Sequence, residues 1–231
     1  MMGISVISVS MSRGEKMLKQ NNVIAKSFGW MFIGLLLTFA TGYYLSCNEY
    51  TLYKIFSGGL WIVLILLELG TVIFLSSRIN KMSPNTAKIV FMLYSVLTGL
   101  TFSSIFILYE LQSIIYVFIA TGLVFGAFAL LGYYTKIDLT KFGTYLMMML
   151  FGIIICSIIN IFIGSTMFDI IISCISIIVF VAYTAYDVKK IKMLAESSTS
   201  ENIAIIGALE LYLDFINLFL EILNLFGKSK D

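Results

Sequence analysis

The sequence predicts an all-α integral membrane fold, a single bundle of seven spanning helices, on three observations. Of the 231 residues, 60% are hydrophobic and only 12% charged, and the mean hydropathy is +1.00, whereas soluble domains carry about a quarter charged residues. Seven uninterrupted apolar runs are long enough to cross a bilayer, which takes about 20 residues at 1.5 Å each for roughly 30 Å of hydrocarbon. None of them alternates in polarity, as the strands of a membrane barrel of about ten residues each would. A single proline and 15% aromatic residues exclude a disordered or collagen-like chain. A formal charge of +2 without a long basic tract excludes a nucleic-acid binder.

The elements follow in order. Residues 1–27 read as a polar cytoplasmic N-terminal segment, in which Arg13, Lys16, Lys19 and Lys26 follow the weakly apolar MMGISVISVS. A secretory leader places its charge before the apolar run, so no cleaved signal is expected. The glycine is third rather than second, which argues against myristoylation. The spans are expected at 28–46, 56–77, 87–109, 113–134, 142–164, 168–186 and 203–226. Apart from 187–202, the connectors are too short for a second domain, so 28–227 forms one transmembrane domain and 228–231 a short polar tail. With the N-terminus in the cytoplasm, that side holds Arg13, Lys16, Lys19, Lys26, Arg78, Lys81, Lys88, Lys136, Lys141, Lys189, Lys190 and Lys192. Only Lys54, Lys228 and Lys230 face the other way, which is the asymmetry that orients membrane proteins. The terminal lysines would equally suit a seventh segment that re-enters as a hairpin.

Absences narrow the chemistry. The chain has no histidine, which excludes a Ser-His-Asp triad, a Cys-His pair, a haem held by histidine and an HExxH zinc site. Cys47, Cys156 and Cys174 show no CxxC spacing and read as small buried hydrophobes without a disulfide. An ionised side chain at the centre of a span costs roughly 2.5–3.5 kcal/mol on insertion scales, so such residues tend to face the interior and carry function. Glu68, Arg78, Asp187, Glu210, Asp214 and Glu221 lie in or at the edges of spans, whereas Glu49, Glu110, Asp138 and Asp169 read as solvated surface.

The seventh span is the most informative. Glu210, Asp214, Asn217, Glu221 and Asn224 follow a 4-3-4-3 spacing, which confines them to an arc of roughly 80° on one helix face. A helix so marked is buried among the others or lines a wet path. Asn217 and Asn224 read as interhelical hydrogen-bond glue, Asp214 as a functional carboxylate. If the sixth helix runs on past Asp187, the two aspartates lie at comparable depth on helices joined by a short loop. Two carboxylates that meet in low dielectric tend to hold one proton between them, and in a chain without histidine this pair is the best candidate for an acid-to-neutral switch; the alternative makes Asp187 a helix-end residue solvated beside Lys189 and Lys190. Arg78 either pairs with an aspartate as a fixed cation or snorkels at the membrane boundary.

Three stretches resemble the Bax inhibitor-1 family of transmembrane Bax inhibitor motif proteins: Ser76-Ser77-Arg78-Ile79-Asn80-Lys81-Met82-Ser83 with Ala87 and FMLYSVLTGLTFSSIF, the pair Tyr186-Asp187, and the closing block LYLDFINLFLEILNLFG at 211–227. The likeness extends over about 28–227. It implies a seven-helix bundle with the last helix central, acting as a pH-sensitive calcium leak without a cofactor. Matched residue by residue, Asp187 and Asp214 become the proton-sharing, calcium-contacting pair and Arg78 its latch. Glu68, Glu210, Asn217 and Glu221 are read as lining the ion pathway. Calcium prefers several oxygen ligands, so two aspartates bind it weakly, as transit requires. The expected partners are membrane lipid, calcium and a membrane protein, with no nucleic acid, and the chain is read as a monomer. Abundant Ile, Asn and Lys with one proline point to an AT-rich genome and a bacterial plasma membrane. Two other classes stay open: a non-conducting regulator of a protease or of a stress or cell-death pathway, and an intramembrane aspartyl protease. The second lacks support from Leu-Tyr-Leu-Asp, where those enzymes carry Gly-x-Gly-Asp, and from Pro84 as the lone proline; the chain is read as a non-enzyme.

Overall fold

The computed structural model describes residues 13–197, 200 and 202–230. The readings of residues 1–12, on a signal and on myristoylation, lie outside the described residues. Within them the chain forms α1 (Arg13–Ser46), α2 (Glu49–Ser57), α3 (Leu60–Arg78), α4 (Pro84–Leu108), α5 (Leu111–Tyr134), α6 (Gly143–Ile163), α7 (Thr166–Ser197) and α8 (Ile203–Phe226), with 3-10 turns at Ile79–Lys81 and Leu139–Phe142. Seven of these helices are long and apolar enough to cross a membrane; α2 is not. The fold is an all-α membrane bundle.

Helix ends depart from the apolar runs where packing, rather than lipid, selects the residues. Helix α1 begins at Arg13 instead of 28, because Gln20, Ile24 and Ser27 recur on one face and are buried. Gln20 donates its amide to Glu196 on α7, and Asn21 accepts from the Tyr133 hydroxyl at 2.6 Å. Helix α7 likewise runs on to Ser197, since Val188, Ile191 and Ala195 continue its buried stripe. The expected 187–202 loop is therefore mostly helix. The second predicted span starts across a break: Gly59 has φ 75°, a left-handed conformation that glycine adopts without a Cβ penalty, and it separates α2 from α3. Helix α4 starts three residues early, with Pro84 in its first turn and the Ser83 side chain accepting from Thr86 N at 3.2 Å, a favoured N-terminal arrangement.

Helix α8 is central: 72% of its apolar stretch is buried, against 6% for α3. It packs against α1, α4, α5 and α7, with Leu211, Tyr212, Leu218 and Phe219 fully buried. Phe39 of α1 meets Phe118 of α5 at 4.7 Å and Phe219 of α8 at 5.3 Å, while Phe118 meets Phe215 at 5.2 Å. Such edge-to-face pairs add about 0.5–1.5 kcal/mol each beyond area burial. Helices α5 and α7 cross so closely at Gly132 that a Cβ there would collide with the Ala185 backbone carbonyl.

Both ends of α8 are pinned. At its start, Asn202 donates to the carbonyls of Ile79 at 2.7 Å and Met82 at 2.9 Å. At its end, the tail lies along the α4–α5 connection: Glu110 N donates to Lys228 O and Lys230 N to Leu108 O, both at 2.9 Å, and Lys228 pairs with Glu110 at 2.6 Å. An unbroken helix that runs from the α3–α4 turn to the α4–α5 turn crosses the bundle, so the hairpin alternative is not adopted. Glu110 is correspondingly an ion-pair partner rather than free surface. The three cysteines are free thiols, but Cys47 and Cys174 are exposed and Cys156 is half-buried. In a bilayer an apolar neighbourhood can be lipid instead of protein, which is why their expected burial does not hold.

Candidate functional site

The extension of α7 and the short turn into α8 bring Asp187 and Asp214 to facing positions on neighbouring helices. Both are buried, with 6% and 5% of their surface exposed, and their carboxyl groups lie within hydrogen-bonding reach of each other. Lys190, one helical turn from Asp187, places its ammonium 4.0 Å from Asp187 Oδ1 and 2.5 Å from Glu210 Oε1. Asp214 Oδ2 and Glu210 Oε2 are buried without a hydrogen-bond partner. Leaving a buried polar atom unpaired costs about 1–3 kcal/mol, more when it is charged. A proton on either aspartate converts one acceptor into a donor and satisfies the pair internally. One ammonium and three carboxyl groups are therefore the chemical content of the site.

The three carboxyl groups open onto a cavity of about 550 Å³ between α6, α7 and α8. Asp187, Glu210, Asp214, Asn217 and Glu221 form its polar wall, and Ser157 with the isoleucines of α6 faces them. The structure thus gathers five of the residues singled out in the sequence on one surface. Asn217 differs from its expected role: its amide donates to Leu213 O at 2.8 Å in its own helix, not across to a neighbour. Asn224 does bridge helices, donating to Asp169 Oδ2 at 2.9 Å and Ser173 Oγ at 3.0 Å on α7, so Asp169 is engaged rather than merely solvated. Asp138 accepts from Thr140 Oγ1 at 2.5 Å, and chiefly that hydrogen bond holds its carboxyl below the usual carboxylate range.

Two expected residues stand elsewhere. Arg78 ends α3, exposed, and forms no ion pair among the described residues; the cation at the aspartate pair is Lys190. The reason is topological, since α3 packs chiefly on α4 and keeps its last residue at the bundle edge. Glu68 is half-buried on the same helix and accepts from Thr101 Oγ1 of α4 at 3.0 Å, on a different surface from the acidic cavity. Sequence reasoning read Lys190 only as a solvating neighbour of Asp187 and missed Ser157 on the α6 wall. The available signal for Lys190 was its position three residues after Asp187, on the same helix face. Ser157 had none, because a hydroxyl in an apolar span has no period of its own. Among the described residues, no group of three or more Cys, Asp or Glu side chains closes into a metal-holding cluster.

Comparison with known proteins gives one family. Residues 20–231 match the family model described as inhibitor of apoptosis-promoting Bax1. A protein of Borreliella burgdorferi is 42% identical over 223 residues, which cover 94% of this chain and 96% of the relative. The inner membrane protein YbhL of Escherichia coli K12 is 42% identical over 214 residues, covering 90% and 92%. A protein of Deinococcus radiodurans is 33% identical over 231 residues, covering 98% and 99%.

Proposed function

The chain belongs to the Bax inhibitor-1 family, and from that membership we propose that it is a pH-sensitive calcium leak gated by a proton shared between Asp187 and Asp214. The observation that carries the reading is the meeting of two buried carboxyl groups on the wall of an acid-lined cavity. From Glu210 to Glu221 the polar face extends roughly 16 Å along α8 at 1.5 Å per residue, about half of the hydrocarbon thickness. Calcium, as the transported ion, would take oxygens from these carboxylates and from Asn217 while keeping part of its water.

Gating follows from charge. With the acids ionised, the ammonium of Lys190 is held by Glu210 and Asp187 and occupies the position a divalent ion would need. As pH falls, protons on the acids loosen that hold, the lysine withdraws and the path opens. Lys190 thereby takes the part that the family resemblance gives to Arg78, which would reach the pair only after α3 moves. The name of the Escherichia coli relative, an inner membrane protein, supports a bacterial inner-membrane location, and the lysine and arginine asymmetry supports a cytoplasmic N-terminus.

The test is flux into proteoliposomes loaded with a calcium dye. Flux should rise as pH falls, Asp187→Asn and Asp214→Asn should flatten that dependence, and Lys190→Gln should raise flux at alkaline pH. Equal flux from empty and protein-bearing vesicles at every pH would remove the leak, and capture of a membrane-protein partner alongside that result would favour a non-conducting regulator.

A further inference from the structure

A second cavity, of about 890 Å³, lies apart from the acidic one. It is a groove between α5, α6 and α7, lined by Phe128, Leu131, Phe142, Leu146, Ala182 and Ala185 among others, and its lining is almost wholly apolar. The volume falls in the usual range of ligand sites, about 300–1,000 Å³. Leu131 and Phe142 at its rim are more than half or half exposed, at 58% and 50%, so the groove faces the surroundings of the bundle rather than its core.

One end of this groove is basic. Lys136 directly follows the lining residue Thr135, Lys141 directly precedes Phe142, and both are exposed. Lys189 reaches over from α7 to donate to the Thr135 carbonyl at 2.8 Å, which sets its ammonium at the rim. The acid beside them is Asp138, whose carboxylate is occupied by Thr140 and feels both Lys141 and Lys189. The mouth therefore keeps a positive excess where α5 ends and α6 begins, at headgroup level. An apolar slot topped by lysines complements a ligand with a hydrocarbon body and an anionic head.

We propose that this groove is a binding site for an anionic phospholipid, with an acyl chain in the slot and the phosphate held by Lys136, Lys141 and Lys189. Basic pockets between membrane helices bind such headgroups by the same complementarity. The site is separate from the acidic cavity, and its occupancy does not depend on ion flux.

The experiment is native mass spectrometry of the full chain in detergent with dioleoyl phosphatidylglycerol or dioleoyl phosphatidylcholine, which share acyl chains and differ in head charge. The wild-type protein should retain the phosphatidylglycerol preferentially. The triple variant Lys136→Gln, Lys141→Gln, Lys189→Gln should lose roughly a hundredfold in that preference, since each lysine near an anionic headgroup contributes about fivefold. The triple Lys→Arg variant should keep it, which separates loss of charge from loss of fold. Lys81→Gln with Lys88→Gln, basic residues outside the groove, should leave it unchanged. Equal retention of the two lipids by the wild type, an undiminished preference in the Gln variant, or an equal loss in the Lys81 and Lys88 variant would overturn the site.

Discussion

Tyr212 shows how a single hydroxyl is fixed in the interior of α8. Its oxygen lies 2.6 Å from Thr38 Oγ1, and the Thr38 proton already points to the Ser95 carbonyl at 2.9 Å or to that of Gly34 at 3.0 Å, so Tyr212 is the donor. Tyr212→Phe removes that donor but leaves Thr38 its own bond, and should cost about 1 kcal/mol. Asn202→Ala strands two carbonyls at the α3–α4 turn and should cost more, about 1–3 kcal/mol. Thermal unfolding in detergent should rank the two in that order. At this scale the acidic pair was readable, because Asp214 stood in a helical stripe and Asp187 preceded a run that could continue as helix. The partner of the pair was not. Lys190 had already been counted among the lysines that set orientation, and a charge count carries no information about which way one ammonium turns.

Helix crossings set the next scale. At Gly132 a methyl group would meet the Ala185 carbonyl, whereas at Gly122 nothing lies within 4 Å. Gly132→Ala should therefore push α5 from α7 and lower stability by about 1–3 kcal/mol. Gly122→Ala on the same helix should be neutral or stabilising by up to about 1 kcal/mol, the usual helix preference of alanine over glycine; paired melting curves in one detergent check both. The number and centres of the spans were legible from hydropathy, yet several boundaries were not. Hydropathy records which segments lipid accepts, and residues 13–27 and 187–197 are held instead by a buried stripe against other helices. The Gly58–Gly59 break was likewise hidden inside a continuous apolar run.

For the whole molecule, seven candidate spans, an odd number, put the start of α1 and the end of α8 on opposite sides of a bilayer. With the N-terminus in the cytoplasm, Cys47 at the far end of α1 and Ser229 in the tail lie on the outer side, and Ser83 on the inner. In spheroplasts, a membrane-impermeant thiol reagent should label Cys47, and also Ser229→Cys in a Cys47→Ser background; Ser83→Cys in that background should stay unlabelled until the membrane is opened. The reverse pattern would invert the orientation and with it the leaflet that meets the basic groove. That α8 is innermost was implied by its polar stripe, whereas the neighbours that surround it depend on side-chain shape that no pattern of polarity encodes. Its place in the chain has a consequence for biogenesis. Among the described helices the innermost is the last to be synthesised, so the preceding six spans must wait in the bilayer around an unfilled axis, with Thr38, Ser95 and Asp187 turned toward it. A transcript broken before codon 203 would yield a protein that inserts but never closes, a substrate for membrane quality control instead of a shorter working copy.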